Sequence, residues 1–121
     1  MLRLLAIAAG ALWLAATPAR ADYWSDFQAA VDAYAAQRYD EAAADFTPLA
    51  ERGDDRAQYW LGIMYFEGKG VPHDDRAAYM WLTLAAEGGN RAARLGRDGL
   101  VRRMSEADVA AAERLVAARR P

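Results

Sequence analysis

The sequence predicts an all-α protein whose six helices pair into three helical hairpins. The 121 residues contain no cysteine, 55% of them are hydrophobic, and many of these are alanine, the strongest helix former. Two runs with helical apolar periodicity, 56–66 and 76–86, flank a short connection that contains two glycines and a proline. Residues also recur at a fixed offset of 35 along the chain, which indicates a repeated hairpin unit.

The first 21 residues have the pattern of a secretory signal. Arg3 is followed by an almost wholly apolar stretch, 4–16, and Ala19-Arg20-Ala21 fits the small-x-small rule for signal peptidase. We therefore expect residues 1–21 to be a signal peptide, 22–121 to be the mature domain, and the protein to be periplasmic or secreted. The alternative is a membrane anchor, but the apolar stretch is shorter than the roughly 20 residues that span a bilayer.

The first predicted hairpin covers residues 22–53. Its first helix is expected to start after Ser25 as N-cap, with an apolar stripe of Phe27, Ala30, Val31 and Tyr34. Its second helix is expected to be capped by Asp40, bent at Pro48 and closed by Gly53. The inward residues of this second helix are predicted to be Ala43, Phe46, Leu49 and Ala50.

The second predicted hairpin covers residues 54–89. Its two inward stripes are Ala57, Leu61, Met64 and Tyr65 on one helix, and Ala77, Ala78, Trp81, Leu82 and Ala85 on the other. Gly62 is placed where the second helix could approach the backbone closely. Asp74 or Asp75 can cap the second helix, and Gly88 is expected to supply the left-handed residue that ends it.

The small and aromatic positions of this hairpin resemble the Sel-one-like repeat, a relative of the tetratricopeptide repeat with a longer loop. The residues that carry the resemblance are Ala57, Leu61, Gly62, Tyr65, Gly68, Gly70, Val71, Ala77, Trp81, Ala85 and Gly88. The resemblance covers one full repeat, including the GxGV turn. It implies a short α–α solenoid that works as a protein-interaction module and needs no cofactor.

The third predicted hairpin covers residues 90–121 and resembles the terminal helices that close such arrays. Asn90 is expected to cap a helix that carries Ala92, Leu95, Gly96 and Leu100, with Arg102 and Arg103 in its last turn. Ser105 and Asp108 form a capping-box-like start for the last helix, whose predicted stripe is Val109, Ala112, Leu115 and Val116. The first hairpin, which has a shorter turn, is interpreted as a degenerate repeat.

The sequence offers little that indicates chemistry. His73 stands beside Asp74 and Asp75, which allows a weak metal site, but helix capping already explains the two acids. Gly68-Lys69-Gly70 lacks the preceding strand and the Lys-Ser/Thr pair of a phosphate loop, so a glycine turn is favoured. We expect neither catalytic residues nor a metal, and the acidity of the mature chain disfavours nucleic acid.

A surface for another protein is the function that the sequence favours. The resemblance places Arg56, Tyr59, Ile63 and Phe66 along the inner side of the solenoid, with Arg91 and Arg94 from the third hairpin. The alternative is that the three apolar side chains simply pack on neighbouring helices. We expect a monomer that binds a peptide or helix of an envelope protein and has no membrane span after signal cleavage.

Two other functions stay open. A small secreted enzyme or enzyme regulator would use the turn that holds His73, and a structural protein would self-associate. Self-association is suggested by charge, because residues 22–90 contain 13 acidic and 5 basic side chains, whereas residues 91–121 contain 8 basic and 4 acidic.

Overall fold

The structure is a computed structural model, which describes residues 19–120, with side chains from Trp24 onward. Within this part of the chain all regular structure is helical, which confirms the predicted all-α class. The six helices are α1 (Ala19–Ala35), α2 (Tyr39–Glu51), α3 (Asp55–Glu67), α4 (Asp75–Glu87), α5 (Arg91–Val101) and α6 (Glu106–Arg119). Residues 1–18, most of the predicted signal peptide, lie outside the described residues, so the signal and its cleavage stay predictions.

Sequential packing of the helices gives a short helical solenoid. Helix α1 packs on α2, α3 packs on both α2 and α4, and α5 packs on α4. Helix α6 also packs on α4, and α5 and α6 contact α4 more closely than they contact each other. The third helix pair is therefore a closing layer laid over α4, and it is less of a hairpin than the first two pairs.

Helix α4 is the central element because it contributes to both hydrophobic core clusters. Met80 and Trp81 join a cluster built from α1, α2 and α3 together with Val116 of α6, in which Phe46 stacks on Trp60 with ring centroids 5.7 Å apart. Leu82 joins a second cluster with residues of α5 and α6. Gly62 of α3 faces Leu82, and a Cβ atom at Gly62 would lie 2.9 Å from the Leu82 Cγ atom. The predicted close approach at Gly62 is therefore confirmed.

The turn between α3 and α4 packs back on the first hairpin. Gly68 and Gly70 have φ values of 67° and 72°, which a residue with a Cβ atom adopts only with strain. A Cβ atom at Gly70 would lie 2.2 Å from the Tyr39 carbonyl oxygen. The Lys69 ammonium pairs with Glu67 at 2.8 Å and lies 5.1 Å from the centre of the Tyr39 ring. Residues 68–74, which join α3 to α4 within the second hairpin, therefore also contact the first hairpin.

Four predicted helix termini are confirmed and others are wrong by one or a few residues. Asp74, and not Asp75, caps α4 by accepting a hydrogen bond from the Ala77 amide at 3.1 Å. Asn90 caps α5 and Ser105 caps α6, as predicted. Gly53, with φ of 97°, follows the end of α2. Pro48 lies inside α2.

The predicted assignments at the ends of α1, α2 and α5 are corrected. Ser25 is no N-cap, because α1 begins upstream of it. Asp40 lies in the first turn of α2, whose N-cap position is Arg38. Arg102 and Arg103 lie just beyond the last turn of α5, which ends at Val101.

The left-handed residue after α4 is Gly89, with φ of 96°, whereas Gly88 has φ of −77°. The N-caps Asp54 and Asn90 are 36 residues apart, and so are the starts of α2 and α4. The structural repeat is thus 36 residues long, one more than the sequence offset suggested. A difference of one residue turns a helix by about 100°, so it changes which alanine is buried.

The apolar stripes of the first two hairpins are largely confirmed, and those of the third are only partly so. The buried residues of α5 are Ala93 and Leu100, whereas Ala92 is exposed and Leu95 is 61% exposed. In α6, Ala112 and Val116 are buried, but Leu115 is exposed. The reason is that α6 lies over α4, which leaves one flank of α5 uncovered.

Candidate protein-binding surface

A depression of about 230 Å³ lies between α3 and α5. We call it the α3–α5 depression, and it is lined by Ile63, Phe66, Leu82, Leu95, Gly96, Gly99, Leu100 and Arg103. Leu82 of α4 and Leu100 of α5 are the buried part of this lining, while Leu95 and Phe66 are exposed at the rim. The lining is therefore almost entirely apolar.

Two glycines of α5 create the depression. A Cβ atom at Gly99 would meet no atom within 4 Å, and one at Gly96 would only reach ordinary contact with Leu82, at 3.6 Å. Both are helical residues with φ in the normal range, so neither glycine is required by the backbone of α5. Their missing side chains leave space beside α3.

Arg103 forms one wall of the depression and is fixed by its neighbours. Its guanidinium lies 4.4 Å from the centre of the Phe66 ring, and one nitrogen donates to Asp75 at 2.7 Å. The same nitrogen lies 3.1 Å from Nε2 of His73, which is itself 2.9 Å from the Asp75 carboxylate. The ion pair with Asp75 thus holds Arg103 over Phe66, and the His73 ring lies beside this pair.

The surface around the depression is cationic. Residues 91–103 contain five arginines and one aspartate. Arg97 pairs with Asp98 at 3.3 Å, and Arg103 pairs with Asp75. The remaining three arginines are exposed, and no carboxylate of the described residues forms an ion pair with them; they are Arg91, Arg94 and Arg102.

The structure brings only two of the six predicted contact residues into the depression. Ile63 and Phe66 line it. Tyr59 is half-buried and packs against the second core cluster, so part of its surface is used by the fold. Arg91 and Arg94 are exposed on α5 outside the lining.

The sixth predicted residue, Arg56, lies at the other edge of α3. Its guanidinium is 4.2 Å from the Phe27 ring centre and 4.4 Å from that of Trp24, and it pairs with Asp54 at 3.1 Å. Arg56 therefore connects α3 to α1. Whether any of the six residues contacts a partner stays a prediction.

Sequence reasoning missed Gly99 and Arg103, and it placed Leu95 and Gly96 on the buried stripe of α5. The signal that could have found the site is the pair of glycines three residues apart in a stretch that is otherwise helical. Such a pair indicates a helix face with space next to it.

A second apolar depression lies between α2, α3, α4 and α6. It is lined by Trp81 and Leu115 among others, and Arg119 covers the Trp81 ring at 4.4 Å from its centre. Its rim carries both Glu51 and Arg119, so it has no single sign of charge.

Among the described residues, no three His, Cys, Asp or Glu side chains are arranged to hold a metal ion. No helix in the described part of the chain has the length and apolar character to cross a membrane.

Stacked antiparallel helix pairs with an apolar depression on one side define an α–α hairpin repeat protein. The Sel1 repeat family model matches residues 55–90, which comprise α3, the long turn and α4. The second hairpin is therefore a Sel1 repeat, which confirms the resemblance found in the sequence. Sel1 repeats generally mediate protein–protein interaction and are typically not enzymes.

Proposed function

We propose that this protein is a non-catalytic interaction module, a scaffold or adaptor of the bacterial envelope. In this proposal it binds a peptide or a helix of another protein along the surface formed by α3 and α5. The observation that carries the proposal is the apolar α3–α5 depression in a Sel1-repeat chain, with Leu95 61% exposed at its rim. Exposed apolar surface at a recess is typical of interaction sites.

The proposed contacts combine apolar burial with charge. Tyr59, Ile63 and Phe66 would supply apolar area from α3, since aromatic anchors at the centre of an interface contribute most of its binding energy. Arg91 and Arg94 would pair with carboxylates of the partner, because both are exposed and lack an ion pair within the described residues.

Binding can be tested by crosslinking in the native envelope, followed by capture with the purified mature chain. We expect three variants to capture the crosslinked protein at least about tenfold less well: Phe66→Ala, Ile63→Ala and the double variant Arg91→Ala/Arg94→Ala. A tenfold loss corresponds to about 1.4 kcal/mol of binding free energy. Arg114→Ala is the matched control, because Arg114 is exposed on α6 and lies outside the depression. Equal capture by all of these variants would exclude the surface.

Localisation in the envelope is a separate part of the proposal and has its own test. Cell fractionation should find the protein outside the cytoplasm, and the purified mature chain should begin at Asp22. The predicted cut falls within the bounds of α1, so residues that precede Asp22 would be removed from that helix. Recovery of full-length chain in the cytoplasmic fraction would contradict this part.

Self-association is the second candidate, and the charge asymmetry of the chain favours it. An acidic front of one copy could meet the basic C-terminal region of the next. We expect a monomer, and light scattering across protein and salt concentration decides between the two. A mass that rises with concentration and falls with added salt would favour head-to-tail association.

A further inference from the structure

We propose that the α3–α5 depression is an anchor pocket for one aromatic side chain of an acidic peptide, and that Gly99 keeps the pocket open. This inference rests on the proposed function, since it names the chemistry of the partner that the same surface takes. It assigns the selection of the aromatic side chain to the glycine face of α5, whereas the sequence predicted apolar contacts from α3 and only Arg91 and Arg94 from α5.

The size and chemistry of the pocket fit an aromatic ring. An apolar protein cavity of about 150 Å³ binds benzene, and this depression measures about 230 Å³. The apolar lining offers water few hydrogen-bond partners, so replacement of this water by a ring is favourable. Phe66 on one side and Leu95 on the other offer apolar contact, and Leu82 lies at the bottom.

The walls of the pocket are held in place before a ligand arrives. Arg103 is fixed by Asp75 and stacks on Phe66, so this wall needs no rearrangement on binding. A site formed in advance loses less conformational entropy when it binds. The pocket is open beside Gly99, because no atom of the protein lies within 4 Å of the position that a Cβ atom at Gly99 would take.

Charge complementarity selects an acidic partner. Arg91 and Leu95 lie four residues apart on one side of α5. Arg102, the C-cap residue just after α5, follows Leu95 by seven residues and has a helical φ of −61°, so it continues the same line. With a rise of about 1.5 Å per residue, Arg91 is about 6 Å before Leu95 and Arg102 is about 10 Å after it. Arg94 is displaced by about 100° from Leu95 and is expected to contribute less.

These distances give a spacing for the partner. An extended chain advances about 3.3 Å per residue. Carboxylates that reach Arg91 and Arg102 would therefore lie about two residues on one side of the anchor and about three on the other. The expected motif is an acidic residue, one spacer, an aromatic residue, two spacers and a second acidic residue, in one chain direction or the other.

The pocket is tested first with indole as the probe, by titration followed with amide NMR of the whole mature chain. The amide resonances of Gly96, Gly99 and Ile63 are expected to shift in the wild type. In Gly99→Phe, whose ring is expected to fill the pocket, the resonances of Gly96 and Ile63 should not respond to indole. Gly99→Ala, with one added carbon, should retain the shifts. Absence of indole-induced shifts in the wild type would overturn the anchor pocket.

The partner class is tested with fluorescein-labelled octapeptides that carry the motif in either direction, read by anisotropy at low and moderate salt. In these peptides the aromatic residue of the motif is phenylalanine. Replacing this peptide residue by alanine, or changing Gly99 of the protein to phenylalanine, is expected to weaken binding about tenfold or more, as loss of a buried aromatic anchor does. Arg91→Glu/Arg102→Glu should weaken it similarly and reduce its salt dependence. Arg114→Glu is the control and should bind as the wild type does.

Each failure has a distinct meaning. If neither motif direction binds, or if lysine-containing peptides bind equally, the acidic-peptide class is wrong. If Gly99→Phe has unchanged thermal stability and still captures the crosslinked partner, while Phe66→Ala and Ile63→Ala lose it, the anchor pocket is wrong and the proposed function stands. Capture that is insensitive to all of these changes would remove the proposed function itself.

Discussion

Gly62 and Gly96 form a matched pair because both face the side chain of Leu82 from opposite neighbours of α4. Alanine in a helix interior is favoured over glycine by about 0.8–1 kcal/mol, and this gain is common to both sites. At Gly62 the new Cβ atom would lie 2.9 Å from two Leu82 side-chain carbons and 3.3 Å from its backbone nitrogen. At Gly96 the nearest Leu82 atoms lie at 3.6 and 3.8 Å, which is ordinary contact.

The two substitutions should therefore have opposite signs. Overpacking a core costs about 1–3 kcal/mol, and Leu82 is 1% exposed and has little room to move. We expect Gly62→Ala to lose about 1 kcal/mol of unfolding free energy and Gly96→Ala to gain about 1 kcal/mol, a difference of about 2 kcal/mol. The difference reports the steric term alone, because the helix-propensity term cancels.

The assays are urea unfolding and thermal unfolding of the mature chain, each followed by far-ultraviolet circular dichroism. Thermal midpoints should differ by roughly 8–16 °C, since 1 kcal/mol shifts the midpoint of a domain of this size by about 4–8 °C. Equal stability of the two variants would refute the close approach of α3 to α4, and with it the reason for a glycine at position 62. A changed m-value would show that the substitution alters the compactness of the native or the denatured state.

Three further changes test the turn, a cap and a buried phenol. Gly70→Ala places a Cβ atom 2.2 Å from the Tyr39 carbonyl oxygen at a φ of 72°, so a loss of about 2 kcal/mol or more in chemical unfolding is expected. Asp54→Ala removes the carboxylate oxygen that accepts a hydrogen bond of 2.9 Å from the Arg56 backbone N–H. It should lower the free energy of unfolding by about 1–2 kcal/mol in the same assay. The pKa of Tyr79 is raised from 10.0, first by burial and then by its hydrogen bond to Glu113. The protonated Tyr79 phenol therefore contributes fully to stability below pH 10, and this contribution is lost as the pH rises through the higher folded-state pKa. Tyr79→Phe should make the free energy of unfolding less dependent on pH above 10. An unchanged dependence would contradict this assignment.

The sequence predicted the helices and the first two hairpins because their signals are local. Periodicity, turn glycines and capping side chains act within a few residues, and they suffice for α3 and α4. Adjacent identical residues are where local signals fail. Gly88 and Gly89 both fit the end of α4, and Ala92 and Ala93 both fit the stripe of α5, so the offset of 35 was as plausible as the structural 36.

The binding surface was less predictable because it depends on how distant helices are placed. Ile63 and Phe66 follow from the register that the Sel1 resemblance gives to α3. The exposure of Leu95 and the open space beside Gly99 depend on α5 and α6 both lying over α4, which no short-range pattern encodes. Arg103 enters the site through Asp75, a partner 28 residues away in sequence.

The turn that carries Lys69 and Gly70 has a consequence for how the protein opens. In a linear array a terminal unit can fray alone, at a free-energy cost set by one interface. Here the Tyr34 hydroxyl donates to Glu67 at 3.1 Å, and Lys69 sits over the rings of Tyr34 and Tyr39. Separating α1 and α2 from the rest would break these bonds together with the α2–α3 interface. Amide hydrogen exchange should thus find the first two hairpins exchanging as one cooperative unit, with α5 and α6 opening at lower cost.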